Sequence, residues 1–314
     1  MTRILEKIKN ASSFLILPHK NADGDCLGSA FALKLVLRKL DKAAFVLCED
    51  EALPQNIMGL LHGVDSNNIH SSYDVIIVVD CSDTKRLGER QDIFNKTDLT
   101  ICLDHHSSNE KYASLNYVDA TAAATGEIIY TLCQELGVEL DSEIASNLYL
   151  AISSDTGCFR QANTTAKTME IAGKLIEAGA KNFEINKNLF ARTSVKVALM
   201  REALNSLEYF CDGKGTVALI TQEQLNKCNG KDSDCDGIVS MTKNIVGVEV
   251  SVFLRERVEN VKASLRSNDI DVAALCQKFG GGGHLRAAGC EFDIPIEDVK
   301  RIIIKEVSNE LNKF

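Results

Sequence analysis

The sequence predicts an α/β protein. A mostly parallel sheet flanked by helices occupies the N-terminal part, followed by a helical linker and a smaller C-terminal α/β domain. Three observations predict this. Between residue 14 and about residue 155, short apolar runs alternate with helical patterns, the punctuation of βαβ units. From about residue 182 to 209 neither Gly nor Pro occurs, so the chain reads as helix, broken near Thr193. After Gly213-Lys-Gly215 the pattern turns strand-rich. A length of 314 residues suggests about two domains. They are expected at 1–185 and 210–314, with the linker at 186–209.

Taken in order, Phe14–Leu17, Ala43–Leu47, Val75–Val79 and Leu99–Leu103 are apolar runs of strand length, and Leu27–Leu40 has helical spacing. Ala122–Leu136 and Thr164–Ala178 read as helices stopped by Gly137 and Gly179 in the position that favours glycine, and Ser142–Ser153 as a third helix. In the second domain Thr216–Ile220, Val248–Leu254 and Val261–Leu265 read as strands, and Asp271–Lys278 and Ile296–Leu311 as helices. The polar stretch Asn226–Gly237 reads as a surface loop. Its aspartates do not form an EF-hand, because no glutamate stands at the loop's last ligand position.

With 45% hydrophobic and 25% charged residues, the composition excludes a wholly disordered, collagenous or coiled-coil chain. Lys and Arg total 35 against 44 Asp and Glu, a net charge of −9, and neither half is basic. That disfavours long duplex nucleic acid as a partner but leaves room for a local pocket for a short phosphate ligand. The 11 cysteines are odd in number, scattered, and never spaced C-x-x-C, which argues against a disulfide framework or a zinc ribbon. Several lie in apolar runs, as reduced cysteines do, so the cytoplasm is the expected location. The start Met1–Lys9 has the charge pattern of an amphipathic helix, and no apolar run approaches the ~18 residues of a membrane span.

Histidines and aspartates gather at the ends of elements. His19-Lys-Asn-Ala-Asp23-Gly-Asp25 follows the first strand and precedes a helix. Gly24 allows the turn that lets one imidazole and two carboxylates converge. The alternative is a capping loop, with Asp23 or Asp25 at the helix N-cap. Asp80 ends the strand Val75–Val79, Asp104-His105-His106 ends Leu99–Leu103, and Asp155 follows the helix that ends near Ser153. Open α/β sheets bind ligands at strand carboxyl ends, and a mixed His/carboxylate set of this size suits two Mn²⁺ or similar divalent ions. His62 and His70 stand in unpatterned sequence and are given no role. The stretch Asp119–Glu127 reads as a helix start with small residues for close packing.

In the second domain, Lys262, Ser264 and Arg266 alternate with Val261, Ala263 and Leu265, so they share one strand face, either merely solvated or ligand-binding. Gly280–Gly283 allows backbone N–H groups to approach an anion, and His284 and Arg286 follow. Arg160 is either a phosphate clamp or a surface arginine.

Residues His19–Asp25, Asp80, Asp104–His106 and Asp155 resemble, in order and spacing, the N-terminal motifs of the DHH phosphoesterase superfamily. Gly280–Gly289 resembles the glycine-rich signature of its associated C-terminal domain. The resemblance runs from about Phe14 to about Ile304. It is nearest the two-domain subgroup of bacterial nanoRNase/pAp phosphatases and cyclic-di-AMP or pApA phosphodiesterases. It implies one Mn²⁺ on His19, Asp23 and Asp80 and a second on Asp25, Asp80, His105 and Asp155, with Mg²⁺ or Co²⁺ as substitutes. It further implies that Asp104 orients an imidazole and that His106 faces the scissile phosphate as electrostatic stabiliser or proton donor. A hydroxide activated by both metals is the implied nucleophile. Ser264, Arg266, Gly281, Gly282, Gly283, His284 and Arg286 are the implied holders of a terminal phosphate or base.

The implied reaction is hydrolysis of short oligoribonucleotides to 5′-mononucleotides, with 3′-phosphoadenosine 5′-phosphate (pAp) as a further substrate. Cleavage of cyclic-di-AMP or pApA is the alternative, and a nucleotide-binding regulatory protein is the non-enzymatic one. A homodimer agrees with the resemblance, although the sequence does not set the oligomeric state. Ala22 stands where the family often has Pro, which bears on loop rigidity and not on a ligand.

Overall fold

The computed structural model describes residues 1–48, 55–64 and 72–313. It divides into two compact units, Met1–Ala191 and Arg192–Phe314. His70 lies outside the described residues.

In the first unit, chain order is α1 (Thr2–Asn10), β1 (Ser13–Leu17), α2 (Gly24–Lys39), β2 (Ala43–Val46), α3 (Gln55–Met58) and β3 (Val75–Val79). There follow a 3₁₀ turn (Thr84–Arg90), α4 (Gln91–Phe94), β4 (Thr100–Asp104), β5 (Leu115–Val118), α5 (Thr125–Leu136), α6 (Ser142–Asp155), α7 (Ala166–Glu177) and α8 (Asn182–Leu189). The strands form one parallel sheet in the order β2-β1-β3-β4-β5. Every residue of β3 and β4 is buried, as expected of parallel strands covered on both faces. β5 was not anticipated, because Leu115-Asn-Tyr-Val118 is a four-residue run broken by Asn116 and only half-buried.

α2 is buried on nearly all sides, with Leu27, Phe31, Leu33, Val36 and Leu37 in the main core beside α5 and α6. Its close packing on α6 depends on glycine. A Cβ on Gly28 would stand 2.5 Å from the Asn147 carbonyl oxygen of α6.

In the second unit come α9 (Ser194–Asn205), β6 (Glu208–Phe210), β7 (Gly215–Ile220), α10 (Gln222–Lys227), α11 (Ile238–Lys243) and β8 (Val250–Glu256). β9 (Val261–Ser267), α12 (Val272–Gln277), β10 (Gly282–His284), β11 (Ala287–Phe292) and α13 (Ile296–Leu311) complete it. The six-stranded sheet runs β10-β11-β9-β8-β7-β6 and is mixed: β7 and β8 are parallel, and the other neighbours antiparallel. α13 buries Val299, Ile303 and Val307, a stripe at helical spacing, in the core of this sheet.

The stretch 186–209, expected as a linker, consists of the end of α8, a break, α9 and the start of β6. α8 packs on α6 and α9 packs on β7, so each belongs to its own unit. The polar stretch 226–237 is a surface segment with a 3₁₀ turn, tied down where the Asp232 carboxylate receives Arg255 Nη2 at 2.7 Å and Arg257 Nη2 at 2.9 Å. Among the described residues no helix is long and apolar enough to cross a membrane.

Candidate active site

The strand order reverses around β1: β2 lies on one side of it and β3 on the other. Ligands of open α/β sheets sit at such a point, beyond the strand carboxyl ends. His19 follows β1 there, Asp80 follows β3, and Asp104 is the last residue of β4, with His105 and His106 directly after it. Two helices complete the group: Asp23 and Asp25 stand at the amino end of α2, and Asp155 is the last residue of α6.

Asp80 is the hub. It is 2% exposed and has a left-handed backbone (φ 55°), a conformation aspartate tolerates better than most residues. Its Oδ2 lies 3.7 Å from His19 Nε2, and its Oδ1 lies 3.6 Å from both His105 Nε2 and His106 Nδ1. His105 Nε2 is also 3.8 Å from Asp25 Oδ2 and 3.7 Å from Asp155 Oδ2. Three overlapping groups of metal-type donors result, two sharing Asp80 and two sharing His105: His19, Cys26 and Asp80; Asp80, His105 and His106; and Asp25, His105 and Asp155.

Asp23 is exposed, its Oδ1 accepts the Cys26 N–H at 3.1 Å as N-cap of α2, and its charge is felt at Asp25 and Asp155. The capping alternative thus holds for that oxygen.

The donors suit divalent cations. His19 Nδ1–H donates to the Lys20 carbonyl (2.7 Å) and His105 Nδ1–H to the Ala122 carbonyl (3.3 Å), so each ring presents Nε2 as a lone-pair donor towards Asp80. This is the outer support that ligating imidazoles need. The carboxylates are crowded. Burial, then the nearby Asp80 and Asp155, pushes the Asp25 carboxyl well above its usual range. Burial also pushes Asp155 up to about 6, against the opposing pull of His105. Divalent charge would relieve both.

His106 is arranged differently, for its Nδ1 lies 2.7 Å from Asp104 Oδ1. That hydrogen bond raises the imidazole's pKa, with burial opposing. Despite burial, Asp104 is held below the usual carboxylate range by the hydrogen bonds from His106 and Asn109.

Several participants escaped the sequence reading. The Thr125 and Gly126 N–H groups, at the start of α5, donate to Asp25 at 2.7 and 3.0 Å, and Ser29 Oγ, one turn further along α2, donates at 3.0 Å. Thr125 Oγ1 donates to Asp80 Oδ1 (3.0 Å). Asn109 Nδ2 donates to Asp104 Oδ2 (2.6 Å), and Asn163 Nδ2 bridges the Ala123 carbonyl (3.0 Å) and Asp155 (3.3 Å to its carbonyl). Only Ser29 carried a signal, its i+4 spacing from Asp25. Cys26 lies beside His19 and Asp80, its Sγ accepts the His19 N–H at 3.3 Å, and burial pushes its thiol well up.

His62 exchanges backbone hydrogen bonds with the Asn147 side chain, a packing role. Arg160 is exposed. Its Nε donates to the Gly157 carbonyl (2.8 Å), and its guanidinium lies over the Phe190 ring at 4.9 Å.

In the second unit, β9 alternates as expected: Val261, Ala263 and Leu265 are buried, and Lys262, Ser264 and Arg266 are half-buried. Register aligns Arg266, Ala287 and His284 in one row and Ser264, Gly289 and Gly282 in the next. The small residues leave a pocket of about 570 Å³, lined by Lys262, Ser264, Arg266, Phe279 and Gly280–Gly282 among others. Gly281 has no room for a side chain, since a Cβ would meet the Gly289 carbonyl oxygen at 2.3 Å. Gly283 and His284 lie in β10 and are not part of the lining, and exposed Arg286 pairs with Asp269 at 2.9 Å.

Residues 13–152 match the DHH family, N-terminal domain, and residues 212–313 match the DHHA1 domain. The chain belongs to the DHH family and is a hydrolase of phosphoester bonds. It is 30% identical over 301 residues to the bifunctional oligoribonuclease and PAP phosphatase NrnA of Thermus thermophilus, covering 95% of this chain and 90% of that one. It is 26% identical over 295 residues to the protein of the same name from Bacillus subtilis, covering 92% of each. The crystal structure of an exopolyphosphatase-related protein from Bacteroides fragilis shares the fold, with a TM-score of 0.84 at 24% identity over 99% of this chain and 95% of that one.

Proposed function

We propose that the chain is a divalent-metal-dependent phosphoesterase that releases 5′-mononucleotides from very short oligoribonucleotides and converts pAp to AMP. The observation that carries this reading is the convergence of His19, His105 and His106 on Asp80, and of Asp25 and Asp155 on His105, in a chain whose full-length relatives are named for those two activities. His19, Asp23 and Asp80 would hold one ion, and Asp25, Asp80, His105 and Asp155 a second. The mixed nitrogen and carboxylate set favours Mn²⁺, with Mg²⁺ or Co²⁺ as substitutes. When bound, such ions supply positive charge to the phosphoryl oxygens and lower the pKa of an attacking water.

The protein's own part is positioning and proton transfer. Both proposed reactions break a P–O3′ bond: the water oxygen bonds to phosphorus, and the 3′ oxygen leaves with a proton. His106, whose imidazole the hydrogen bond to Asp104 raises in pKa, is the donor of that proton through Nε2, since Nδ1 is held by Asp104. Arg266 offers a planar donor fork to a terminal phosphate, Ser264 a hydroxyl, and the glycine run and His284 further donors. Arg160 and Arg286 would reach a substrate only by leaving Phe190 and Asp269.

The test is turnover of an RNA dinucleotide and of pAp before and after chelation. The proposal expects both to stop on metal removal and to return with Mn²⁺. Undiminished turnover in the chelated enzyme refutes it.

A further inference from the structure

Arg86 reaches the centre of the site from a segment that no motif marks. It lies in the 3₁₀ turn after β3, where the Asp83 carboxylate caps its backbone N–H (3.2 Å), and its own carbonyl accepts the Lys20 N–H (2.7 Å). The turn is thus pinned to the loop that carries His19. Its half-buried guanidinium places Nη2 3.2 Å from His19 Nε2.

Arginine has donors and no acceptor, and His19 Nδ1 is committed to the Lys20 carbonyl. Arg86 therefore occupies the Nε2 lone pair, the one through which His19 would bind a cation. One lone pair serves one partner, so cation and guanidinium exclude each other there. The positive charge of Arg86 is also felt at the His106 imidazole. A guanidinium beside divalent ions is a ready partner for an anion, and a phosphoryl group matches its planar fork.

We propose that Arg86 is a two-position residue: its guanidinium competes with a cation for the His19 Nε2 lone pair, and it binds the substrate's phosphoryl oxygens when a cation holds His19. The inference rests on the metal-centre reading above.

Titration calorimetry of Mn²⁺ into the metal-free chain, then of 5′-AMP into the Mn²⁺-loaded chain, separates the two. Arg86→Gln is expected to bind Mn²⁺ at least about threefold more tightly, because the competitor for Nε2 is weakened, and to bind 5′-AMP at least about tenfold more weakly. Arg86→Lys, which keeps the charge without the fork, should recover part of the 5′-AMP affinity. A merely structural arginine predicts weaker Mn²⁺ binding on substitution, and that result, or unchanged affinities in Arg86→Gln, overturns the inference. A wild-type chain that takes up no Mn²⁺ overturns the metal-centre reading, and this inference with it.

Discussion

Gly28→Ala tests whether close helix packing builds the site. The added methyl would lie 2.5 Å from the Asn147 carbonyl oxygen, 2.9 Å from the Ala151 amide nitrogen and 3.0 Å from Ala151 Cβ. Two of these are backbone atoms of α6, so relief requires α2 and α6 to part. Overpacking costs about 1–3 kcal/mol. Against this, alanine gains roughly 0.5–1 kcal/mol over glycine inside a helix, so the middles of the two ranges leave a net loss of about 1 kcal/mol. At about 2–4 °C per kcal/mol for a unit of this size, Tm should fall by roughly 2–4 °C. Since α2 carries Asp25 and α6 carries Asp155, Mn²⁺ affinity should fall as well. Gly173→Ala is the control. Gly173 is exposed in the interior of α7, and a Cβ there meets nothing within 4 Å. That substitution should stabilise by about 0.5–1 kcal/mol and leave Mn²⁺ binding unchanged. Scanning calorimetry of the whole chain reads both. Shifts of the same sign, or a Gly28→Ala chain as stable as wild type, refute the reasoning.

Other substitutions probe other links. Asn163→Ala removes the support of Asp155 and should weaken Mn²⁺ binding about 10–100-fold by calorimetry. Asp104→Asn removes the carboxylate charge that, with its hydrogen bond, raises the His106 pKa. The imidazole then loses its proton at lower pH, so the alkaline limb of the kcat profile moves to lower pH, and an unmoved limb contradicts the assignment. In stability the same pair has the opposite dependence from a paired carboxylate. The His106 contribution is complete below its ordinary value near 6.5 and is lost as pH rises through the raised one. Arg266→Lys should raise KM for short RNA roughly tenfold with kcat little changed, because the ammonium keeps charge but not the fork.

The β1, β3 and β4 runs were legible because parallel strands buried on both faces are continuously apolar, and their carboxyl ends then located His19, Asp80 and Asp104–His106. β5, β6 and β10 were not legible: the first is a four-residue run broken by Asn116, and the other two are three residues each, formed by pairing with a neighbour and not by their own pattern. α2 was expected to begin at Leu27 but begins at Gly24, because Asp23 caps it ahead of the first apolar residue. Ligand-type residues can be read from sequence because their chemistry is in the side chain. Thr125, Asn109 and Asn163 could not be: Thr125 acts through its N–H on Asp25 and its hydroxyl on Asp80, 100 and 45 residues away, and Asn109 and Asn163 act through side-chain amides across 5 and 8 residues. Arg86 was hidden for a further reason, as its role depends on a contact with His19, 67 positions away.

The central claim is metal-dependent hydrolysis of short RNA at the Asp80 hub. Its most direct test is a time course with Mn²⁺ on a 5′-labelled RNA ladder from two to about twenty nucleotides, comparing wild type with Asp80→Asn. The account predicts that dimers to pentamers disappear first, yielding 5′-mononucleotides, and that the Asp80→Asn chain, folded by circular dichroism, is inert. Cleavage indifferent to length, or equal turnover by wild type and variant, would contradict it.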